Sequence, residues 1–279
     1  MGGLWSKNFR KSSSGLEIIS HQETLRNLVD ILMVLVEDAK FKFEEGHIEV
    51  RAVDAMHVAM VQIEIDAQAF EAWKCEPCTI GFQLKKLRDL VGLARPDDLI
   101  EMDYDEKDGR VNIQVGEINR SIRPLDRATM LEPQVPYVEL NSSVKMSPYK
   151  FSRALRAAKQ VGDLATISLN AQSFAVKSVG DTDTVNVSYD AGELEDLVCS
   201  RPVKSQYSLS LLYPMAKRIE RIWERFSSDF IKSDFSKNLV DEGYFDGVWI
   251  FFNENHPLRL EFTFAHGAAR CVYFLAPRI

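Results

Sequence analysis

Residues 144–163 read VKMSPYKFSRALRAAKQVGD, and this stretch decides how the rest of the chain is interpreted. Ser147 and Pro148 are typical of a helix start, because proline is favoured in the first turn. Apolar residues then recur at the spacing of one buried helical face: Phe151, Ala154, Leu155 and Ala158. Strand-like segments follow at residues 165–169, 173–178 and 184–189. The stretch therefore predicts an amphipathic helix packed on strands.

The first half of the chain has the same order of elements. A helix is predicted at about 21–38, paired strands within 42–65, a second helix at about 84–94, and strands at 99–104 and 110–115. The second half adds a helix from about 211 to 225 and strands at 248–253, 258–265 and 269–275. A repeated order of elements predicts two similar α+β domains. The predicted division is a flexible leader at 1–15, an N-terminal domain at 16–122, an extended connecting loop at 123–138 and a C-terminal domain at 139–279.

Composition excludes several classes of protein. With 279 residues and 46% hydrophobic content the chain can bury a large core, and no apolar run is long enough to span a bilayer. Four cysteines do not make a disulfide framework in a chain of this length. The net charge of −7 argues against nucleic-acid binding unless the basic residues are concentrated on one surface.

The basic residues are in fact concentrated on the predicted helices. No acidic residue occurs between Lys145 and Asp163, so the third helix has a wholly basic outer face. Acidic residues lie mainly in strands and loops, as at residues 103–108 and 193–196. This distribution favours helices that face a polyanion. The alternative for any single helix is an ordinary solvated face.

Four ordered stretches resemble DNA sliding clamps of the proliferating cell nuclear antigen type. They are GHIEVRAVDAMHVAMVQIEI at 46–65, IGFQLKKLRDLVGLA at 80–94, the third-helix stretch at 144–163 and HPLRLEFTFAHGAARCVYFLAPRI at 256–279. The resemblance implies a DNA clamp fold, with antiparallel sheets outside and two helices per domain inside. It further implies a homotrimeric ring that encircles duplex DNA as a polymerase processivity factor, and not an enzyme.

The resemblance implies sequence-independent DNA contacts from the helices. Correspondence with the family's helices assigns them to Arg26, Lys85, Lys86, Arg88, Arg153, Arg156 and Lys217. Helical periodicity adds Lys150, Arg218 and Arg221. Subunits are expected to join the strand at 118–123 of one copy to the strand at 183–189 of the next.

The resemblance also implies a hydrophobic pocket for short partner peptides under the connecting loop. The matching residues are Val53, His57, Val58, Met60, Pro133, Val135, Pro136, Pro257, Ala276, Pro277 and Ile279. Taken singly, each of them is more typical of ordinary core or turn than of a binding site. The expected partners are DNA polymerase, clamp loader, nuclease and ligase, in the cytoplasm of an archaeal cell or viral host, or in the nucleus of a eukaryote.

No catalytic, cofactor or metal motif was found. Cys75 and Cys78 have redox or zinc spacing, but a strand-like sequence follows them and no second close pair completes a zinc site. Residues 226–247 form a connection that is longer than the family's, which we interpret as an added loop. Two alternatives remain: a checkpoint-type clamp subunit of a heterotrimer, and a metal-dependent nuclease that uses dispersed Asp and Glu residues.

Overall fold

The computed structural model describes residues 15–95, 98–232 and 247–278, with residues 226–232 described as backbone only. The predicted leader, apart from Gly15, and most of the predicted added loop lie outside the described residues. The helices are α1 (Gln22–Leu32), α2 (Leu84–Val91), α3 (Pro148–Val161) and α4 (Leu209–Lys232).

Eighteen strands surround these helices in the described ranges. The first half contains β1 (Leu16–His21), β2 (Asp38–Phe43), β3 (His47–Val53), β4 (Ala59–Asp66), β5 (Ala72–Cys75), β6 (Cys78–Gln83), β7 (Leu99–Asp105), β8 (Arg110–Val115) and β9 (Ile118–Ile122). The second half contains β10 (Ser143–Met146), β11 (Leu164–Asn170), β12 (Ser173–Val179), β13 (Thr184–Asp190), β14 (Asp196–Val198), β15 (Val203–Ser208), β16 (Val248–Phe251), β17 (Leu258–Phe264) and β18 (Ala269–Leu275).

The strands form three antiparallel sheets. Five strands of the first half pair in the order β5-β1-β7-β8-β9, and four of the second half in the order β13-β12-β11-β15. The third sheet crosses between the halves in the order β14-β10-β16-β17-β18-β4-β3-β2-β6. The halves are therefore joined by backbone pairing of β18 with β4, where Phe274 lies opposite Met60.

The helices form a row in which α2 contacts α1, α1 contacts α4, and α4 contacts α3. Their apolar faces and the inward sides of the strands share one core cluster that extends through both halves. The Tyr273 hydroxyl of β18 donates a hydrogen bond of 2.9 Å to the Ile31 carbonyl of α1, which fixes the row against the sheet that joins the halves. Helices and sheets are thus segregated, as the α+β prediction requires.

The predicted bounds of the first, second and fourth helices differ from the structure, and the second ends at Val91 and not near residue 94. The first helix ends at Leu32 and not near residue 38, because the chain must turn at 33–36 to bring Asp38 opposite Gln83 in β2 and β6. The apolar spacing continues through that turn, since residues 33–36 pack on the core without being helical. The fourth helix begins at Leu209 and extends to Lys232, beyond the predicted end at 225.

Candidate nucleic-acid interface and peptide-binding surface

The outer face of α3 is exposed and basic. Arg153 and Arg156 are both exposed, and neither forms an ion pair with a carboxylate among the residues that the structure describes. Phe151, Ala154 and Leu155 on the opposite side are fully buried, which fixes the rotation of the helix about its axis. The two guanidinium groups are therefore held out toward solvent and are available to bind phosphate.

The neighbouring helices present further cations on their exposed faces. Lys85 and Lys86 of α2 and Arg221 of α4 are exposed. Lys217 of α4 is half-buried, and its ammonium lies 5.8 Å from the centre of the Tyr213 ring. With Arg153 and Arg156, these groups spread positive charge over helices of both halves.

Three of the predicted DNA contacts instead converge on one buried carboxylate. Asp30 of α1 is 3% exposed, and its oxygens lie 2.9 Å from Nε of Arg88 and 2.9 Å from Nη1 of Arg218. Nε of Arg26 lies 3.9 Å from the same carboxylate. Burial lowers the pKa of Arg218, and the Asp30 carboxylate opposes that shift. This cluster joins α1, α2 and α4, so part of the predicted basic charge is compensated inside the protein.

Lys150 is likewise engaged within the chain. Its ammonium donates a hydrogen bond of 3.1 Å to the Glu193 carbonyl and lies 5.7 Å from the centre of the Tyr189 ring. It lies at the start of α3, on the side of β13, where it contacts the strand.

A separate apolar cluster lies on the outer face of the sheet that joins the halves. Met60, Val272 and Phe274 form it, and Val135 of the connecting segment packs against it. Met60 lies opposite Val53 on one side and opposite Phe274 on the other, so three strands contribute to one patch. We call this set, Val53, Met60, Val272 and Phe274, the apolar patch.

Val272 and Phe274 are not among the predicted pocket residues. β18 reads ARCVYFL, a nearly continuous apolar run in which the sequence alone does not show which side chains face the core. Because alternate residues of a strand point to opposite faces, Cys271 and Tyr273 enter the core while Val272 and Phe274 face outward. An apolar residue at an outward position was the available signal.

A tight turn borders the apolar patch. Both Asp54 carboxylate oxygens accept backbone N–H groups, among them those of Val58 at 2.8 Å and Ala59 at 2.7 Å. His57, with a φ of 56°, is exposed in this turn. The Ala276 N–H donates to the Val58 carbonyl at 2.8 Å, which brings the C-terminal segment beside the turn.

The remaining predicted pocket residues lie around the apolar patch and the Asp54 turn, or outside the described residues. Pro257 directly precedes β17, whose first residue, Leu258, lies opposite Leu275 at the end of β18. Pro133 and Pro277 are half-buried, Pro136 is exposed, and Ile279 lies outside the described residues. The structure thus brings Val53, Val58, Met60, Val135 and Ala276 together.

The connecting segment is anchored to the sheet at two points. Leu125 bridges to Gly81 of β6, with its N–H 2.8 Å from the Gly81 carbonyl. Farther along, the Glu132 carboxylate lies 3.3 Å from the ammonium of Lys42 and 3.9 Å from that of Lys40. The segment therefore crosses the outer face of the sheet from β6 toward Val135.

The cysteine pair does not have the environment of a reactive thiol. Cys75 and Cys78 end β5 and begin β6, so they lie in a strand-to-strand turn and not at a helix N-terminus. Burial raises the pKa of Cys75 to about 11 and that of Cys78 to about 12. Both are therefore protonated thiols at neutral pH, and the thiol is the unreactive form.

Among the described residues, no three His, Cys, Asp or Glu side chains are grouped so that they could hold a metal ion. No helix in the same ranges is long and apolar enough to cross a membrane.

Comparison with known proteins gives the family. The sequence model of the N-terminal domain of proliferating cell nuclear antigen matches residues 17–127. The DNA polymerase sliding clamp of Methanosarcina mazei is 31% identical over 258 residues, which cover 92% of this chain and 96% of that protein. The sliding clamp of Methanococcoides burtonii is 29% identical over 256 residues, covering 91% and 95%.

Solved structures agree on the fold. A. fulgidus PCNA bound to the C-terminal region of FEN-1 superimposes with a TM-score of 0.79 at 24% identity, over 95% of this chain and 98% of that one. PCNA of Entamoeba histolytica gives a TM-score of 0.80 at 18% identity, over 95% and 100%. These likenesses confirm the predicted clamp fold. With the sequence relatives, they lead to one conclusion: the chain belongs to the family of DNA polymerase sliding clamps of the proliferating cell nuclear antigen type, which are processivity factors and not enzymes.

Proposed function

We propose that three copies of this chain close into a ring that encircles duplex DNA and holds partner enzymes on it by their peptides. The main support for DNA binding is the exposed basic surface of the helix row, above all Arg153 and Arg156. Phosphate contacts from such side chains carry no sequence information, and salt weakens them. A ring needs only this weak, mobile attraction, since its closure prevents dissociation.

The sheet edges support ring closure. β5 and β6 are joined by a short turn, and so are β14 and β15, so these four edge strands meet within the chain. β9 and β13 are the other two sheet edges in the described ranges. Pairing β9 of one copy with β13 of the next would extend five strands by four, giving a sheet of nine like the one inside the chain.

The apolar patch supports the peptide side of the proposal. The related A. fulgidus protein is seen with the C-terminal region of FEN-1 bound to it. Here the apolar patch and Val135 form an apolar cluster on the sheet surface, which we propose receives one aromatic side chain, since such an anchor supplies most of the affinity in peptide recognition. Polymerase, clamp loader and ligase would use the same place.

We retain the predicted DNA-binding set with its members ranked. Arg153, Arg156, Lys85, Lys86 and Arg221 act as direct phosphate contacts, with Lys217 beside them. Arg26, Arg88 and Arg218 act mainly through the Asp30 cluster, and Lys150, which contacts Glu193 and the Tyr189 ring, ranks below the direct contacts. Two domains meeting at 123–138 are supported by the sheets that each half builds alone. The archaeal relatives support a cytoplasmic location.

Replacing Arg153 and Arg156 with Glu tests the DNA interface. We expect the double variant to keep the mass of the wild-type ring but to shorten polymerase products on primed circular DNA at least tenfold at 0.15 M salt, because four units of charge change per subunit face the phosphates. The measurement is product length after loading by a clamp loader.

The matched control is Lys177→Glu with Lys204→Glu. Both lysines are exposed on strands β12 and β15 of the four-stranded sheet, so the charge change is the same but lies away from the helix row. Wild-type product length in the Arg153 and Arg156 variant, or an equal loss in the control, would refute the assignment. A chain that stays monomeric until a different clamp subunit is added would instead support the checkpoint-type alternative.

A further inference from the structure

A small groove lies beside the apolar patch, where the connecting segment crosses β2 and β3. It is shallow and open to solvent, and it is lined by Lys40, Lys42, Glu49, Arg51, Leu131 and Glu132. Lys40, Lys42 and Arg51 are cations. The two carboxylates belong to different parts of the chain. Glu49 belongs to the sheet and pairs with Arg51, whereas Glu132 belongs to the connecting segment. We call this set the basic groove.

Glu132 brings a carboxylate of the connecting segment into the groove. It is the counter-ion of Lys40, which is only 17% exposed, and of Lys42. Glu132 itself is about half exposed, and its neighbour Leu131 is 72% exposed, so this part of the segment is not packed into the core. Nε of Arg51 is buried without a hydrogen-bond partner among the described residues, which leaves a donor unsatisfied in the groove.

The strand register sets the distance from the groove to the apolar patch. Arg51 lies opposite Gln62 and Val53 opposite Met60, so the groove and the patch are adjacent on one face. β4 lies two strands from β2, a distance of about 10 Å. β18 lies three strands from β2, a distance of about 14 Å. An extended peptide covers that distance in about three or four residues.

We propose that the basic groove is a second recognition site for the partner peptide and that it takes an acidic side chain three or four residues from the aromatic anchor. The incoming carboxylate replaces that of Glu132 on Lys40 and Lys42. Glu132 is thus a built-in competitor that keeps the lysines paired when no partner is bound. This proposal rests on the proposed peptide-binding function, and it adds a charge preference to that function.

The test is fluorescence anisotropy with the C-terminal peptide of A. fulgidus FEN-1, labelled with fluorescein. In each peptide, the residues three and four positions from the aromatic anchor are replaced by Glu-Glu, Gln-Gln or Lys-Lys. One set of peptides carries the replaced pair before the anchor, and a second set carries it after the anchor. In at least one set we expect wild-type protein to bind the Glu-Glu peptide about fivefold more tightly than Gln-Gln at low salt. At 0.5 M salt the difference should fall below about twofold, because exposed charges are then screened.

Two variants assign the preference to the groove. Lys40→Glu with Lys42→Glu should reverse the order of the Glu-Glu and Lys-Lys peptides. Glu132→Gln, a change of equal size at a half-exposed position, should tighten the Glu-Glu peptide about twofold to threefold because the competitor is lost, and urea unfolding checks that the variant is folded. Lys177→Glu on the four-stranded sheet is the control and should leave the order unchanged.

The outcomes separate the two proposals. If the Gln-Gln peptide binds, and the Glu-Glu, Gln-Gln and Lys-Lys peptides bind with equal affinity in both sets, the groove does not discriminate between charges. This inference is then wrong, while the peptide-binding function stands. If Glu132→Gln leaves all affinities unchanged, the competitor role is wrong. If no peptide binds at all, both the peptide-binding function and this inference fall.

Discussion

At the residue scale, the connecting segment depends on one position without a side chain. A Cβ at Gly81 would lie 2.8 Å from Sδ of Met130 and 3.0 Å from the Leu125 carbonyl oxygen, both in the segment that crosses β6. The absence of a side chain at Gly81 therefore allows the segment to lie flat on the sheet. From there it continues to Glu132 of the basic groove and to Val135, which packs against the apolar patch.

Gly81→Val should lift the segment at Leu125 and Met130. We expect a loss of about 1–3 kcal/mol in the free energy of unfolding, because overpacking forces neighbours to shift. Limited proteolysis should cut within residues 123–138 faster than in wild type, and peptide affinity should fall.

Gly46→Val is the matched control for this change. A Cβ at Gly46 meets nothing within 4 Å, so the same substitution there should leave cleavage of the segment unchanged. Equal cleavage rates in wild type and Gly81→Val would contradict the role of Gly81.

At the scale of elements, α1 connects the helices of the two halves through a polar contact. Asp30 pairs with Arg88 of α2 and with Arg218 of α4. The apolar face of α1 packs in the core. A buried carboxylate with two arginine partners costs desolvation, and removal of one charge leaves the others uncompensated. The cluster therefore fixes how α4 lies against α1.

Asp30→Asn should be strongly destabilising, by about 3–5 kcal/mol in urea unfolding, because the buried guanidinium of Arg218 loses its counter-ion. Arg218 is 15% exposed, so water replaces the lost partner only in part. Combining Asp30→Asn with Arg218→Met should recover part of the loss, since no unpaired charge then remains at that position.

A double-mutant cycle measures this coupling. Asp89→Asn, an exposed acidic position on α2, is the control and should change stability by less than about 0.5 kcal/mol. Strict additivity of the Asp30 and Arg218 changes would show that the pair does not act as a unit.

At the scale of the whole molecule, the proposed ring depends on the two edge strands β9 and β13. β9 carries Ile118, a large apolar side chain that is 43% exposed at a sheet edge. β13 is the corresponding edge of the four-stranded sheet. Burying these edges against each other would satisfy their free backbone groups and close the ring.

Ile118→Asp should weaken the ring without unfolding the subunit, because the new charge lies on an exposed position of the monomer. Light scattering after size exclusion should give about three times 31.8 kDa for wild type and a shift toward 31.8 kDa for the variant at micromolar concentration. Val198→Asp is the control, at an exposed apolar position of β14 away from the proposed contact. Dissociation of both variants alike would contradict the edge assignment.

Features that depend on neighbours along the chain could be predicted from the sequence. The spacing of Phe151, Ala154 and Leu155 fixes which side of α3 is buried, so the exposure of Arg153 and Arg156 followed directly. The sequence likewise predicted paired strands within 42–65, and the structure has β2, β3 and β4 paired there. The resemblance to sliding clamps, carried by four ordered stretches, was enough to name the family.

The tertiary structure alone decided which of the predicted residues act together. Asp30 and Arg218 are 188 positions apart, so no local pattern could show that a predicted DNA contact has a buried counter-ion. Val272 and Phe274 face outward because β18 pairs with β4 of the other half, and the basic groove exists because Glu132 crosses β2. These features arise from contacts between distant segments, whose burial and charge pairing depend on how the whole chain packs.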